Sequence, residues 1–125
     1  PAEIESGMRL DGHPSRTPGD LEELSALILG ARAVVGADTG PMHLAGMLGV
    51  PGVSLFGPTR FGQWGPPGMR EVNLRLPCSP CTAACADLRC PHPACMEGID
   101  ARTVFTVLME LCEPNGNGFQ GPGIP

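Results

Sequence analysis

The chain of 125 residues contains no lysine, and its eight basic side chains are all arginine. Its formal net charge is −5, so it has no general electrostatic field that would attract nucleic acid or an anionic membrane. No apolar run approaches the ~20 residues that a membrane-spanning helix needs, and no secretory signal pattern opens the chain. No G-x-G-x-x-G motif follows a predicted strand, which disfavours a nicotinamide-dependent dehydrogenase. These absences predict a soluble protein without a nucleic-acid partner, in which any phosphate is held by backbone N–H groups and single arginines.

The most informative segment runs from Ala33 to Thr59 and reads AVVGADTGPMHLAGMLGVPGVSLFGPT. An apolar run near 33–36 meets a glycine turn, a helix of about 41–48 opens on a proline, and a second apolar run follows near 53–56. This order predicts a right-handed strand–helix–strand crossover, and the lack of alternation predicts parallel strands buried on both faces. The unpaired N–H groups at the start of the helix form an anion site, which makes a phosphate-bearing ligand the first hypothesis.

Two further helices are predicted from their caps and their apolar faces. The first spans about 20–29, where Asp20 precedes LEELSALIL with Glu23 at the capping-box spacing, and Gly30 follows as a C-terminal glycine. The second spans about 100–112, with Asp100 as its N-cap.

The remaining segments have weaker signals. Short strands are predicted at 8–10 and 72–74, the region 57–77 is otherwise rich in loops, and 113–125 is typical of a disordered tail. The chain begins with Pro1 and not with Met, which indicates a processed, trimmed or fragmentary chain. Its length allows one domain at most.

The sharpest group of polar residues is Asp38-Thr39-Gly40-Pro41-Met42-His43, on the turn between the predicted strand and helix. Ligand-contacting residues cluster at the carboxyl ends of strands in open α/β sheets. Each residue also has a structural interpretation: Asp38 or Thr39 as an N-cap, and His43 as a half-buried histidine with satisfied hydrogen bonds. Taken together, the group favours ligand binding.

The motifs DTGPMHLA at 38–45, LGVP at 48–51 and LFGPT at 55–59 resemble those of the lipopolysaccharide heptosyltransferases of glycosyltransferase family nine. The resemblance covers about residues 10–112. It implies the GT-B architecture of two facing Rossmann-like domains. It also implies inverting transfer of heptose from ADP-heptose to the inner core of lipopolysaccharide, with no cofactor required.

Carried over by position, the resemblance implies that Thr39 and Gly40 hold the donor diphosphate. It also implies that Asp38 hydrogen-bonds the donor sugar or orients this loop, and that His43 lies beside the phosphates. Gly57 and Thr59 would line the same crevice, and Arg60 is a candidate cation for phosphate or a solvated loop residue. Trp64 is expected to pack beneath the loop, with a cover over the donor pocket as the alternative.

The family's catalytic base and the first phosphate contacts of its C-terminal domain have no counterpart here. The chain is therefore predicted to be the later half of a Rossmann-like C-terminal donor-binding domain, α/β in class, spanning 1–112. It is expected to contain no catalytic residue, to be inactive alone, and to meet the lipopolysaccharide acceptor through an absent N-terminal domain. The expected location is cytoplasmic, with peripheral association at the inner membrane of a Gram-negative-type bacterium.

A cysteine-rich segment at 78–95 supports a second hypothesis. Four of its cysteines could hold a tetrahedral structural zinc ion: Cys78, Cys81, Cys90 and Cys95, with His92 as a substitute ligand. Free thiols are the alternative in a cytosolic protein, and an iron–sulfur cluster is a third. The competing function is a zinc-binding or interaction module in which the crossover unit is only scaffold.

Overall fold

The computed structural model describes residues 16–81, 90–91 and 93–113. These residues form five helices and three strands. In chain order they are α1 (Leu21–Leu29), β1 (Val34–Ala37), α2 (Gly40–Met47), β2 (Gly52–Leu55), α3 (Phe61–Trp64), β3 (Met69–Val72), α4 (Ala94–Glu97) and α5 (Ala101–Cys112). None of the helices in the described ranges is long and apolar enough to cross a membrane.

Helix α1 begins as the capping-box spacing predicts, with one difference. The Asp20 side chain accepts from the Glu23 N–H at 2.8 Å, while the Glu23 carboxylate accepts from the Gly19 N–H at 2.9 Å. Because this N–H and then the Arg16 guanidinium stabilise its charged form, the pKa of Glu23 lies below its ordinary value of 4.5. The helix ends at Gly30, as predicted, and this glycine has a right-handed φ of −79°.

The three strands form one parallel sheet in the order β1-β2-β3. Ala37 of β1, Leu55 of β2 and Val72 of β3 lie in register, so the strands end at the same level. The carboxyl ends of parallel strands meet at one edge of a sheet, which brings the loops after all three strands together.

Helix α2 connects β1 to β2 as the predicted crossover. Pro41 lies in its first turn, where a missing N–H costs no intrahelical bond. Gly49 has a φ of +75° just past the end of the helix and terminates it. Gly46 packs directly on the loop before β3: a Cβ placed there would lie 2.5 Å from the Pro67 carbonyl oxygen.

The core lies between α1, α2 and the sheet. Its buried cluster comprises Ile28, Met42, Ala45, Val50 and Met69, and the most completely buried large side chains belong to β2 and the residue after it, Val53, Ser54 and Phe56. Phe56 meets Phe61 of α3 edge to face, with ring centroids 5.1 Å apart. Such pairs add about 0.5–1.5 kcal/mol beyond their buried area, so this contact fixes α3 against the end of β2.

The structure corrects several expectations about the elements. Burial on both faces holds for β2 but not for β1, which lies at the edge of the described sheet and leaves Val35 44% exposed. The third strand occupies Met69–Val72 rather than 72–74, because its ladder with β2 begins at Met69.

The short helices α3 and α4 were not predicted. They are single turns of four residues, too short for an apolar period. The predicted strand at 8–10 and nearly all of the predicted tail lie outside the described residues.

Candidate functional site at the carboxyl edge of the sheet

Asp38 joins the loops that follow β1 and β2. Its Oδ2 accepts a hydrogen bond of 2.8 Å from the Thr59 hydroxyl, and its Oδ1 lies 3.6 Å from His43 Nε2. The Asp38 side chain is 27% exposed and that of His43 is 42% exposed. Asp38 is therefore not the N-cap that one interpretation allowed; its two oxygens connect three of the predicted site residues, Asp38, His43 and Thr59.

The start of α2 leaves backbone donors open. Thr39 is the N-cap, but its side chain makes no capping bond, and its hydroxyl lies 3.4 Å from the Ala37 carbonyl oxygen, near the limit for a hydrogen bond. Among the described residues, the N–H groups of Thr39 and Gly40 donate to no protein acceptor. Both residues are exposed. Two N–H groups at a helix N-terminus, with its partial positive charge, form a site suited to an anion.

Gly40 has no packing reason to be glycine. A Cβ placed on it meets no protein atom within 4 Å, whereas at Gly57 the same atom would lie 2.8 Å from Cys95 Sγ. Gly57 is buried, so close packing on α4 explains that glycine. The open space at Gly40 is what close approach of a ligand to the backbone requires.

A cavity of about 320 Å³ connects these loops and has Asp38, Gly57 and Thr59 in its wall. Its floor is made by Leu55 and by Met96 of α4. Three of the six residues predicted to bind the donor thus share one cavity, while Thr39, Gly40 and His43 lie beside it at the start of α2.

The segment at 78–81 is hydrogen-bonded to the loop that follows β2. The Ser79 hydroxyl donates to the Gly57 carbonyl, and the Cys81 N–H donates to the Pro58 carbonyl at 2.9 Å. This role of Ser79 was not predicted from the sequence, where the C-x-x-C spacing around it was interpreted only as possible metal ligands. These bonds fix the loop that places Thr59 opposite Asp38.

A larger groove of about 610 Å³ follows along the same edge, between the ends of β2 and β3. We call it the polar groove; its charged and polar lining is Thr59, Arg60, Gln63, Glu71, Asn73, Arg75 and Ser79. Arg60, which the sequence suggested as a phosphate cation, lies here at the start of α3 and is exposed. Trp64 is 54% exposed, so the expected packing beneath the loop is wrong.

The cysteines do not form a metal centre in the described parts of the chain. Cys78, Cys81, Cys90 and Cys95 are all described, and the structure brings no three His, Cys, Asp or Glu side chains into a group that could hold a metal ion. Cys95 is buried under Gly57, while Cys78 and Cys90 are exposed. Cys85 and His92 lie outside the described residues. Zinc binding by this segment stays a prediction.

Comparison with known proteins identifies the family. The sequence profile of glycosyltransferase family 9 (heptosyltransferase) matches residues 17–91, which include every predicted donor-binding residue. The chain belongs to this family. No solved structure matches the chain.

Two individual relatives support the same family assignment. The chain is 37% identical over 102 residues to lipopolysaccharide heptosyltransferase 1 of Pseudomonas aeruginosa, covering 70% of this chain and 29% of the relative. It is 32% identical over 80 residues to lipooligosaccharide heptosyltransferase 2 of Campylobacter jejuni serotype O:6, covering 62% of this chain and 25% of the relative. The chain therefore spans less than a third of the length of these two relatives.

The family also settles the fold class. Glycosyltransferase family 9 has the GT-B fold, and the three-stranded parallel sheet with flanking helices is a part of it. The α/β prediction and the recognition of the family are confirmed. The division of the chain at residue 112 stays a prediction.

Proposed function

We propose that this chain is the donor-binding part of an inverting glycosyltransferase that transfers heptose from ADP-heptose to the inner core of lipopolysaccharide. The observation that carries the proposal is the pair of unpartnered N–H groups on Thr39 and Gly40, at the start of a helix and beside the Asp38–Thr59–His43 cluster. The names of the relatives support heptose and lipopolysaccharide as the substrate classes.

The geometry suits a diphosphate leaving group. When the acceptor oxygen bonds to the anomeric carbon, the bond from that carbon to the diphosphate breaks and negative charge grows on ADP. Donors that already point at the diphosphate stabilise this charge without reorganising, which lowers the barrier. Thr39 and Gly40 would supply two such N–H donors, and the Thr39 hydroxyl, which makes only a marginal contact with Ala37, would supply a third.

Asp38 would position these donors rather than contact the phosphates. Its negative charge repels a phosphate, but both of its oxygens already face other groups, Thr59 on one side and His43 on the other. The carboxylate thereby ties the loop after β2 to the start of α2. His43, in the first turn of α2 and half-buried, would offer a ring N–H to a phosphate oxygen.

The base that activates the acceptor hydroxyl is expected from the N-terminal domain of the family, as the sequence resemblance implies. We accordingly propose that the chain binds the donor but does not catalyse transfer alone, and that it works on the cytoplasmic side of the inner membrane. The zinc-module alternative is supported by no group of ligands in the described residues.

Titration of the 15N-labelled chain with ADP, followed by NMR, tests the site. We expect the amide signals of Thr39 and Gly40 to shift with ADP and to stay in place with adenosine, which lacks the diphosphate. Equal shifts with adenosine, or shifts confined to other residues, would refute the assignment.

A matched pair of variants sharpens this test. Thr39→Val removes a hydroxyl that makes no capping bond, so it should weaken ADP binding without unfolding the chain. Thr106→Val removes an exposed hydroxyl that donates to the Arg102 carbonyl on α5, remote from the site, and should leave ADP binding unchanged. Equal affinities of the two variants would remove the Thr39 hydroxyl from the proposed site.

A further inference from the structure

The two cysteines of the C-x-x-C segment are reactive groups to which the proposed function assigns no role. Cys78 is exposed and Cys81 is half-buried. In the described ranges, no three His, Cys, Asp or Glu side chains come together in a group that could hold a metal ion. The structure thus presents the two thiols as a pair: an exposed one that a reagent reaches first, and a second one three residues further on.

The chain between the two cysteines is bent rather than extended. The Ser79 N–H donates to the Leu76 carbonyl at 2.8 Å, which closes a turn at Cys78. The chain bends again at Pro80. A disulfide needs Cα atoms about 4.4–6.8 Å apart, whereas the ends of an extended four-residue segment are separated by about 10 Å. The bends therefore shorten the segment in the way that a disulfide requires.

The same segment supports the loop that follows β2. The Ser79 hydroxyl, between the two cysteines, donates to the Gly57 carbonyl. The backbone N–H of the second cysteine, Cys81, donates to the Pro58 carbonyl at 2.9 Å. The next residue of this loop is Thr59, which belongs to the candidate site. A covalent change at the cysteine pair would therefore act directly on the contacts that hold Thr59 in position.

The pair lies at the polar groove, whose charge differs from that of the chain as a whole. Ser79 and Pro80 line the groove together with Arg60, Arg75 and Glu71. Two arginines and one glutamate leave a net charge of +1 there, in a chain whose net charge is −5. Such a local field concentrates small anions, and reactive thiols are typically found in partly exposed, electropositive surroundings.

The groove arginines remain available to an anionic reagent. Arg60 makes no ion pair or side-chain hydrogen bond within the described ranges, although Arg70 and Arg75 are each paired with a carboxylate. Arg75 Nη2 donates to Glu71 at 2.9 Å, but the Arg75 side chain is 76% exposed, so the rest of its guanidinium is open to solvent. Carboxylates of a small molecule can therefore approach both guanidinium groups.

We propose that Cys78 and Cys81 are a reversible thiol–disulfide site, oxidised by small anionic disulfides that the polar groove attracts. The exposed Cys78 thiolate attacks one sulfur of the reagent, whose S–S bond breaks and releases one thiolate that takes up a proton. The Cys81 thiolate then attacks the Cys78 sulfur of this mixed disulfide and releases the second thiol. The pair loses two electrons and two protons, and the reagent gains them as two thiols.

The disulfide fastens the loop. It closes a four-residue ring and so removes open conformations of the segment. The contacts to Gly57 and Pro58 then break less often, and the redox state of the pair sets how firmly Thr59 is held opposite Asp38. This inference concerns the loop itself and holds whichever ligand the candidate site binds.

Peptide mapping by mass spectrometry tests the bond. The reduced chain is treated with oxidised glutathione, alkylated and digested. We expect a disulfide that joins Cys78 to Cys81 and that dithiothreitol converts back to two thiols. Failure to oxidise, a glutathione adduct on Cys78 that goes no further, or a bond from either residue to another cysteine would overturn the proposal.

Two reagents of opposite charge test the part played by the groove. Oxidised glutathione is anionic and cystamine is cationic, and both are small disulfides. At low salt we expect the anionic reagent to oxidise the pair faster, despite the net negative charge of the chain. Arg60→Gln should slow this reaction, while Arg70→Gln, which removes an exposed arginine paired with Glu110, should not. Faster oxidation by cystamine, or equal rates in the two variants, would refute attraction by the groove.

Amide hydrogen exchange tests the effect on the loop. Oxidation should slow exchange of the Cys81 amide at least about tenfold, because the ring restricts opening of the segment. The Val50 amide, which donates to the Ala45 carbonyl before β2, should exchange equally in both forms. Under the same treatment Cys78→Ser should show no slowing, and Cys112→Ser, changed at the end of α5, should behave as the wild type. Exchange of the Cys81 amide that is as fast or faster after oxidation would refute the fastening of the loop.

Discussion

Replacing Gly40 with alanine should affect stability and ligand binding in opposite directions. The new Cβ meets no protein atom within 4 Å, and the backbone there is not left-handed. A glycine-to-alanine change at such a position stabilises the fold by about 0.4–1 kcal/mol, chiefly by restricting the unfolded chain. In a small domain this raises the unfolding midpoint by a few degrees.

The same methyl group would occupy the space in which the diphosphate approaches the Gly40 N–H. Separating an anion from a helix N-terminus and its two open donors removes charge-assisted hydrogen bonds of about 1.5–3 kcal/mol each. We therefore expect Gly40→Ala to weaken ADP binding by at least about tenfold, which corresponds to about 1.4 kcal/mol.

Calorimetric titration with ADP and thermal unfolding, both on the same preparation, measure the two effects. Gly30→Ala is the matched control, because Gly30 also has a right-handed φ, of −79°, and its added Cβ would make only an ordinary contact, 3.5 Å from the Ala26 carbonyl oxygen. It lies before β1, away from the site, and should keep full ADP affinity. If Gly40→Ala binds ADP as tightly as the wild type, the diphosphate does not lie against this backbone and the reasoning fails.

Two further predictions concern the fold. Ser54→Ala should raise the free energy of unfolding by about 1 kcal/mol in chemical denaturation, because the Ser54 hydroxyl is fully buried and has no hydrogen-bond partner among the described residues. The control Ser25→Ala, at a half-buried position of α1, should change it little, and a clear loss of stability in Ser54→Ala would show that the hydroxyl has a partner. Glu23→Gln should flatten the acid side of the stability profile: the folded-state pKa of Glu23 is lowered, so its contribution is complete above its ordinary pKa of 4.5 and is lost as the pH falls through the lowered value. Thermal midpoints measured across that range for both proteins check this, and parallel profiles would contradict it.

The elements that the sequence predicted well have local signals. Asp20 and Asp100 begin their helices by accepting an N–H from the third residue on, as their positions before apolar runs suggested. Gly49 ends α2 because it can adopt a positive φ. Such signals depend on a few neighbouring residues, so one sequence is enough to detect them.

The features that the sequence did not predict depend on distant contacts. The edge position of β1 follows from which strands pair, and neither the apolar run at 34–37 nor its composition contains that information. Ser79 contacts Gly57 across 22 positions, and Thr59 contacts Asp38 across 21. Motif spacing placed Asp38 and Thr59 in one site only through the family resemblance, and it gave no sign that the two residues bond to each other.

The polar groove was missed for a related reason. Arg60 was noticed as a single cation, but Gln63 and Arg75 come from a region interpreted as loop, and Asn73 lay in the strand predicted at 72–74. They meet because α3 packs on Phe56 and because β3 ends level with β2. The left-handed conformation of Arg75 could not be predicted from the sequence, because arginine rarely adopts a positive φ.

Because the three strands end at the same level, the sheet fixes the spacing between the loops that follow them. Neighbouring strands in a sheet lie about 4.8 Å apart, so the first and third strands are separated by about 10 Å. The loop that carries Asp38 and Thr39 follows the first strand, and the loop that carries Arg75 follows the third. The sheet thus fixes the spacing between the loop of Asp38 and the loop of Arg75, so a ligand that contacts both loops must span about 10 Å.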